Sequence, residues 1–181
     1  RMVMNINVNS LVIEVGRQCN MCCDHCLRGA AENITMPLDL AFKAIDTFDS
    51  ISQITFTGGE PMSDIKGLMD LVSTVPEKYN IYINTTFINK NLDEFINFVN
   101  DCNKIKGVNI SRHSEKYEND LKLLKDIAQD EELLRIKKPI RINCVIQGQD
   151  LTAVLERWKG LNVSLFFRKN CAAGRLCICR H

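Results

Sequence analysis

The chain has 181 residues, 45% of them hydrophobic and 25% charged, which suits one globular domain with a real core and room for a small appendage. Its 23 lysines and arginines nearly cancel 22 aspartates and glutamates, so nothing in the charge points to nucleic acid or an anionic membrane as partner. No apolar run approaches the ~18–20 residues that cross a bilayer. The alternating start, RMVMNINVNS, does not read as a secretory signal, and a cytoplasmic location is expected. Arg1 stands before Met2, which leaves the native ends open.

In chain order, apolar and β-branched runs predict strands at 11–16 (LVIEVG), 53–57 (QITFT), 80–86 (NIYINTT), 108–112 (VNISR), 140–147 (IRINCVIQ) and 163–168 (VSLFFR). Helical segments lie between them. Thr35 is read as the cap of a helix with Pro37 in its first turn, running to about Asp49. Ser63 opens SDIKGLMDLV, Asn91 opens NLDEFINFVNDC, and a charged helix spans 115–135. Asp150 opens DLTAVLERWK, and Gly160 sits where a helix C-terminal glycine belongs. The strands carry few polar interruptions and read as covered on both faces. Strand and helix alternate with crossovers long enough for right-handed βαβ units, so the fold class is α/β with a parallel sheet, doubly wound or a partial barrel. Functional residues then belong at the C-terminal ends of the strands.

Nine cysteines, with no secretion signal, suggest metal binding or redox chemistry more than disulfides. Four of them fall in CNMCCDHC, directly after the first strand. Cys19, Cys22, Cys23 and Cys26 could form two C-x2-C pairs around zinc, but adjacent Cys22 and Cys23 would then have to point at one ion. Cys19, Cys23 and Cys26 alone give C-x3-C-x2-C, the short irregular spacing of iron–sulfur ligands. That spacing favours a cluster over zinc or free redox thiols. The second strand ends in TFTGGEP: two glycines for close backbone approach, then the carboxylate of Glu60, then Pro61 to end the strand.

With these two motifs in this order, the chain resembles the radical S-adenosylmethionine (radical SAM) enzymes over about residues 11–168. The resemblance implies a single core domain over 1–181, built as a partial (β/α)6 TIM-type barrel and followed by a cysteine-rich tail at 169–181. It implies that Cys19, Cys23 and Cys26 hold a [4Fe-4S] cluster with one open iron, and that they are the catalytic residues. It implies that SAM chelates this iron, with Gly58, Gly59, Glu60 and Pro61 holding the methionyl amine. His25 stands where the family has an aromatic residue beside the adenine; it is flat and can hydrogen-bond. By position, Ser111 becomes a polar contact to SAM. Asn143, Val145, Ile146 and Gly148 resemble the cofactor segment on strand five, and the backbone near Phe166 meets the adenine edge. Each of these would serve equally as an ordinary strand or turn residue.

The reaction implied is reductive cleavage of SAM to a 5′-deoxyadenosyl radical, which abstracts hydrogen from an unidentified substrate. An external electron donor such as flavodoxin or ferredoxin is implied as partner. In size the chain resembles glycyl-radical-enzyme activases, which act on protein, and deazapurine-forming members, which act on a small heterocycle. Arg17, Thr85, Thr86, Arg112, His113 and Arg168 fall near strand ends, where arginines suit an anionic substrate or a plain rim salt bridge. Trp158, Phe42, Ile45 and Phe48 are expected in the core, Cys102 and Cys144 as buried thiols, and the 115–138 segment as a solvated face. The tail offers Cys171, Cys177, Cys179 and His181, read as unligated, as an auxiliary metal site or as a substrate contact; one cluster is expected. The alternative to an enzyme is an iron–sulfur or zinc module for electron transfer or partner binding.

Overall fold

Strand β1 (Ser10–Glu14) begins a sheet whose strands run in chain order, β1 to β6, every neighbouring pair parallel. The others are β2 (Gln53–Thr57), β3 (Asn80–Thr85), β4 (Ile105–Ser111), β5 (Ile140–Ile146) and β6 (Val163–Lys169). The computed structural model describes residues 8–21, 26, 31–48, 50–88, 91–112, 129–146, 152, 155–156 and 158–169. Sequential order with right-handed crossovers puts the described helices on one face. The result is a singly wound open sheet, the partial barrel rather than the doubly wound alternative.

The helices start and stop for local reasons. Helix α1 (Leu38–Asp46) begins after Pro37, which itself takes the cap position with an extended backbone. Thr35, expected as that cap, instead pairs with Gly16 in an antiparallel bridge. A 3-10 turn (Pro61–Asp64) leads into α2 (Ile65–Thr74). Its cap is Asp64, not Ser63: the carboxylate accepts the Gly67 N–H at 2.9 Å. Helix α2 ends at Val75, because Pro76 disfavours helical geometry in the residue before it. Helix α3 (Leu92–Asp101) starts after Asn91 as expected and closes with the Cys102 N–H on the Phe98 carbonyl. Gly160, at φ 81°, takes the left-handed geometry expected of it. Gln129–Glu132 is helical and Leu133–Arg135 tightens into a 3-10 turn; residues 115–128 of the predicted 115–135 helix lie outside the described residues, as does the start at Asp150.

The core lies between sheet and helices. Ile13, Ile54, Phe56, Ile83, Ile110 and Ile142 point from the strands toward Ala41 and Ile45 of α1, Leu68, Leu71 and Val72 of α2, and Phe95, Ile96 and Val99 of α3. Each of these large apolar side chains is fully or nearly buried, which stabilises the fold by about 1.5–3 kcal/mol apiece. Truncating Phe56 to alanine would cost about 3–5 kcal/mol. Trp158, Ile45 and Cys144 are in this core, and Phe48 and Cys102 pack against its edge. Phe42 is only half-buried; Ala41 has the inward position.

The other face of the sheet departs from expectation. The strands are not apolar on both sides. Val12, Thr55 and Tyr82 share one level of that face, and Glu14 and Thr57 begin the next. Asn84, Asn109, Arg141 and Ser164 continue that second level in register across β3 to β6. This polar, half-open face is the concave inside of the partial barrel.

Candidate functional site

The cysteine loop leaves the sheet at Val15 and is closed at its base. The Arg17 N–H donates to the Ile34 carbonyl at 2.9 Å, the Glu32 N–H to the Arg17 carbonyl at 3.1 Å, and the Met36 N–H to the Val15 carbonyl at 2.8 Å. Side chains reinforce the closure: Arg17 pairs with Glu32 at 2.6 Å, and Gln18 bonds Asn33 at 2.7 Å. Arg17 therefore pins the loop, rather than standing open to a substrate. Within the loop, the Asn20 amide donates to the Ile88 carbonyl at 2.7 Å, anchoring it to the chain beyond β3.

Cys19 is half-buried and its sulfur accepts the Met21 N–H at 3.4 Å; Cys26 is exposed. Neither is in a disulfide. Cys22, Cys23 and His25 lie outside the described residues. The described donors are thiols, one of them already receiving the backbone N–H···S contact that tunes iron–sulfur centres, so the loop fits a thiolate-held cluster.

The glycines of TFTGGEP have a definite job. A Cβ on Gly58 would lie 2.5 Å from the Gly16 carbonyl oxygen, and one on Gly59 would lie closer still to that of Gln18. Real atoms cannot approach so closely. The Gly59 N–H donates to the Gly16 carbonyl at 2.9 Å, and the Glu60 N–H to the Gln18 carbonyl at 2.6 Å. The turn after β2 is thus laid directly on the three residues that precede Cys19. What comes close to these glycines on their Cβ side is the chain's own cysteine-loop backbone.

Glu60, which the resemblance sets facing an ammonium group, turns its carboxylate toward the neighbouring strand end. It is 3% exposed, and its carboxylate is filled. Oε1 accepts from the Met62 N–H at 2.9 Å and the Thr85 hydroxyl at 2.5 Å; Oε2 accepts from the Thr86 N–H and the Thr86 hydroxyl, both at 2.6 Å. A carboxylate has about four acceptor positions, and four donors occupy them. Thr85 and Thr86, expected near a strand end, are the partners of Glu60. Phe87 follows with φ 57°, a costly conformation for a bulky residue, held by its buried ring against Phe95 and by its N–H on the Thr85 hydroxyl. That turn is what lets both donors of Thr86 reach one oxygen.

Arg112 continues the network. It is 3% exposed and donates to the carbonyls of Thr86 and Ser111, and its own N–H bonds the Asn143 carbonyl at 2.9 Å. It joins strand ends and is not displayed on the rim. Ser111, Asn143 and Phe166 come together as one register level across β4, β5 and β6, at the same end of the sheet. Val145 pairs with Arg168 and Ile146 with Lys169 at the last steps of β5. Pro61 opens the 3-10 turn and is buried. His113, Gly148 and the tail with Cys171, Cys177, Cys179 and His181 lie outside the described residues.

Sequence reasoning missed the polar level of the concave face. Its signal was present in the period-2 alternation of polar residues along otherwise apolar strands, as in YINT, VNIS and IRIN.

The cysteine loop and the glycine turn laid against it meet at the C-terminal ends of the first two strands of a singly wound parallel sheet, a partial-barrel fold. The chain belongs to the family described as 4Fe-4S single cluster domain, whose family model matches residues 11–129. Among solved structures, it is similar to Streptococcus suis SuiB bound to S-adenosylmethionine, with a TM-score of 0.65, 16% identity, and coverage of 89% of this chain and 39% of that one. It is also similar to hexahistidine-tagged anSMEcpe with bound AdoMet, with a TM-score of 0.65, 19% identity, and coverage of 90% of this chain and 51% of that one. A curated Bacillus subtilis (strain 168) protein, YfkA, is 34% identical over 58 residues, 30% of this chain and 16% of that protein. The chain spans about half or less of the length of these relatives. Among the described residues, no helix is long and apolar enough to cross a membrane.

Proposed function

We propose that this chain forms the catalytic core of a radical SAM enzyme. Cys19, Cys23 and Cys26 would hold the [4Fe-4S] cluster. The cluster, when bound, supplies one electron to the SAM sulfonium, breaking a carbon–sulfur bond to give methionine and a 5′-deoxyadenosyl radical that takes hydrogen from a substrate. A low-potential donor such as flavodoxin or ferredoxin would supply that electron.

The observation that carries this reading is the contact between the two motifs. The Gly59 and Glu60 N–H groups bond the carbonyls of Gly16 and Gln18, so the glycine turn and the start of the cysteine loop form one backbone unit. A ligand touching one motif lies against the other. An electron-carrying module has no use for that coupling. Because the Glu60 carboxylate is filled, the backbone carbonyls of Gly58 and Gly59 are assigned the SAM ammonium, and Glu60 holds the turn in shape. Ser111, Asn143 and Phe166 form the far rim, where the adenosyl part would rest.

The test is anaerobic reconstitution with iron and sulfide, reduction with dithionite, and quantification of 5′-deoxyadenosine. SAM-dependent 5′-deoxyadenosine, absent from a Cys19→Ala variant, is expected. A chain that loads about four irons and binds electrons reversibly, yet neither binds nor cleaves SAM, would be the electron-transfer module instead.

A further inference from the structure

The polar level one pleat below the rim is used by neither motif. Thr57, Asn84, Asn109 and Arg141 occupy it on four successive strands. Phe56 pairs with Ile83, so Thr57 and Asn84 are the next step along β2 and β3. The Thr57 side chain points to the concave face, is 8% exposed, and its hydroxyl has no hydrogen-bond partner among the described residues. Such a burial costs about 1–3 kcal/mol unless something bonds the hydroxyl.

The neighbours are arranged for a ligand of specific chemistry. The Asn109 amide donates to the Asn84 carbonyl oxygen at 2.7 Å, which orients both side chains. That single bond leaves Asn84 with amide hydrogens and Asn109 with its carbonyl oxygen, a donor beside an acceptor. This pair complements the edge of a primary or cis-locked amide, which presents its carbonyl oxygen and an N–H on the same side. On the next strand the Arg141 guanidinium lies over the Phe166 ring, 5.8 Å from its centre, and forms no ion pair among the described residues. A guanidinium held over a ring by cation–π attraction keeps its N–H fork available for a planar anion. One guanidinium balances one negative charge, which suits a carboxylate better than a phosphate monoester of about −1.5 to −2. Adjacent strands are about 4.8 Å apart, so the amide and anion positions are about one strand spacing from each other.

We propose that Thr57, Asn84, Asn109 and Arg141 are the substrate-selecting layer of this chain, and that its substrate is a carboxylate-bearing amide. The amide edge rests on the asparagine pair, the carboxylate on Arg141, and the Thr57 hydroxyl bonds a polar atom of the ligand. The assignment of this layer to substrate rests on the radical SAM reading; the binding itself does not.

The probe is pyroglutamate, whose lactam presents its carbonyl oxygen and N–H on one edge and lies one carbon from a carboxylate. Its affinity for the reconstituted chain, without SAM or reductant, is measured by ligand-observed NMR against 2-pyrrolidone and acetate. Pyroglutamate is expected to bind at least about ten times more tightly than either half, a difference of about 1.4 kcal/mol. Arg141→Gln should reduce it to the level of 2-pyrrolidone without changing 2-pyrrolidone itself. Asn109→Leu should reduce it to the level of acetate. Arg141→Lys, which keeps charge without the fork, should fall between, and iron content and circular dichroism confirm that each variant is folded. No preference over the two halves, no detectable binding, or an unchanged preference in folded Arg141→Gln overturns the proposal. Normal probe binding in a chain that fails to cleave SAM would instead overturn the radical SAM reading and leave the binding layer intact.

Discussion

Glu60 and Thr86 meet through two hydrogen bonds on one oxygen, with the Thr86 N–H and hydroxyl both 2.6 Å from Oε2. Thr86 in turn lends its carbonyl to the buried Arg112. A carboxylate after β2 and a guanidinium after β4 are thereby coupled through one residue after β3. Burial strengthens this coupling, because water is not available to replace a lost partner. The three strand ends that frame the site are fixed by polar groups in its wall.

Glu60→Gln is therefore expected to act on stability as well as on SAM. An amide nitrogen would face donors where an oxygen now accepts, at a cost of about 2–3 kcal/mol. For a chain of this size that lowers the melting temperature by roughly 4–12 °C. Thermal unfolding under anaerobic conditions is the measurement. An unchanged melting temperature with weaker SAM binding would mean that the carboxylate serves the ligand alone.

Gly59→Ala should disturb the cysteine loop at a distance from any cysteine, since the new Cβ would press on the Gln18 and Arg17 carbonyls. Iron per chain after reconstitution is expected to fall by more than half. Gly160→Ala is the control. Its Cβ meets nothing within 4 Å, and it should cost about 1 kcal/mol of backbone strain with full iron loading.

Cys19→Ala, Cys23→Ala and Cys26→Ala should each abolish stable cluster binding, while Cys22→Ala retains about four irons per chain. Retention in Cys23→Ala with loss in Cys22→Ala would shift the register of the ligands. Replacing Cys171, Cys177 and Cys179 together should leave the count at about four. A fall from about eight to about four would reveal a second cluster in the tail.

Lys104 supports the fold far from this chemistry. It is 7% exposed, and its ammonium caps the end of α2, donating to the Ser73 carbonyl at 2.9 Å and the Val75 carbonyl at 2.7 Å. Lys104→Met would leave buried carbonyls without a donor and should destabilise by about 1.5–3 kcal/mol. Denaturant unfolding measures this, and cluster loading of the folded variant should be unaffected.

The strands were legible because Ile54, Phe56, Ile81 and Ile83 mark an apolar face, and because each crossover leaves room for a helix. Their edges were exact at β2 and off by at most three residues elsewhere, most at β4, where Ile105 enters the sheet beyond a register shift opposite Ile81 and Tyr82. The motifs were legible as spacing. Their neighbours were not, because a tertiary partner is invisible along the chain: nothing local to Thr85 or Thr86 announces a bond to Glu60, 25 and 26 residues away. Arg17 and Arg112 left two readings open for the same reason. An arginine at a strand end looks identical whether it awaits an anion or closes a loop. The concave face was misread because isoleucines drew attention from the Asn and Thr between them.

The glycine turn also sets a timetable for making the protein. Cys19 is synthesised 40 residues before Gly59, the residue whose N–H helps seat the segment leading to that cysteine. At about 5–20 residues per second, the ribosome leaves those thiols without their supporting turn for roughly 2–8 seconds. During that interval they belong to an unfinished polypeptide, open to oxidation or to stray metal ions. The order of the two motifs along the chain therefore favours delivery of iron and sulfide after translation has passed β2, when the loop has a base on which to close.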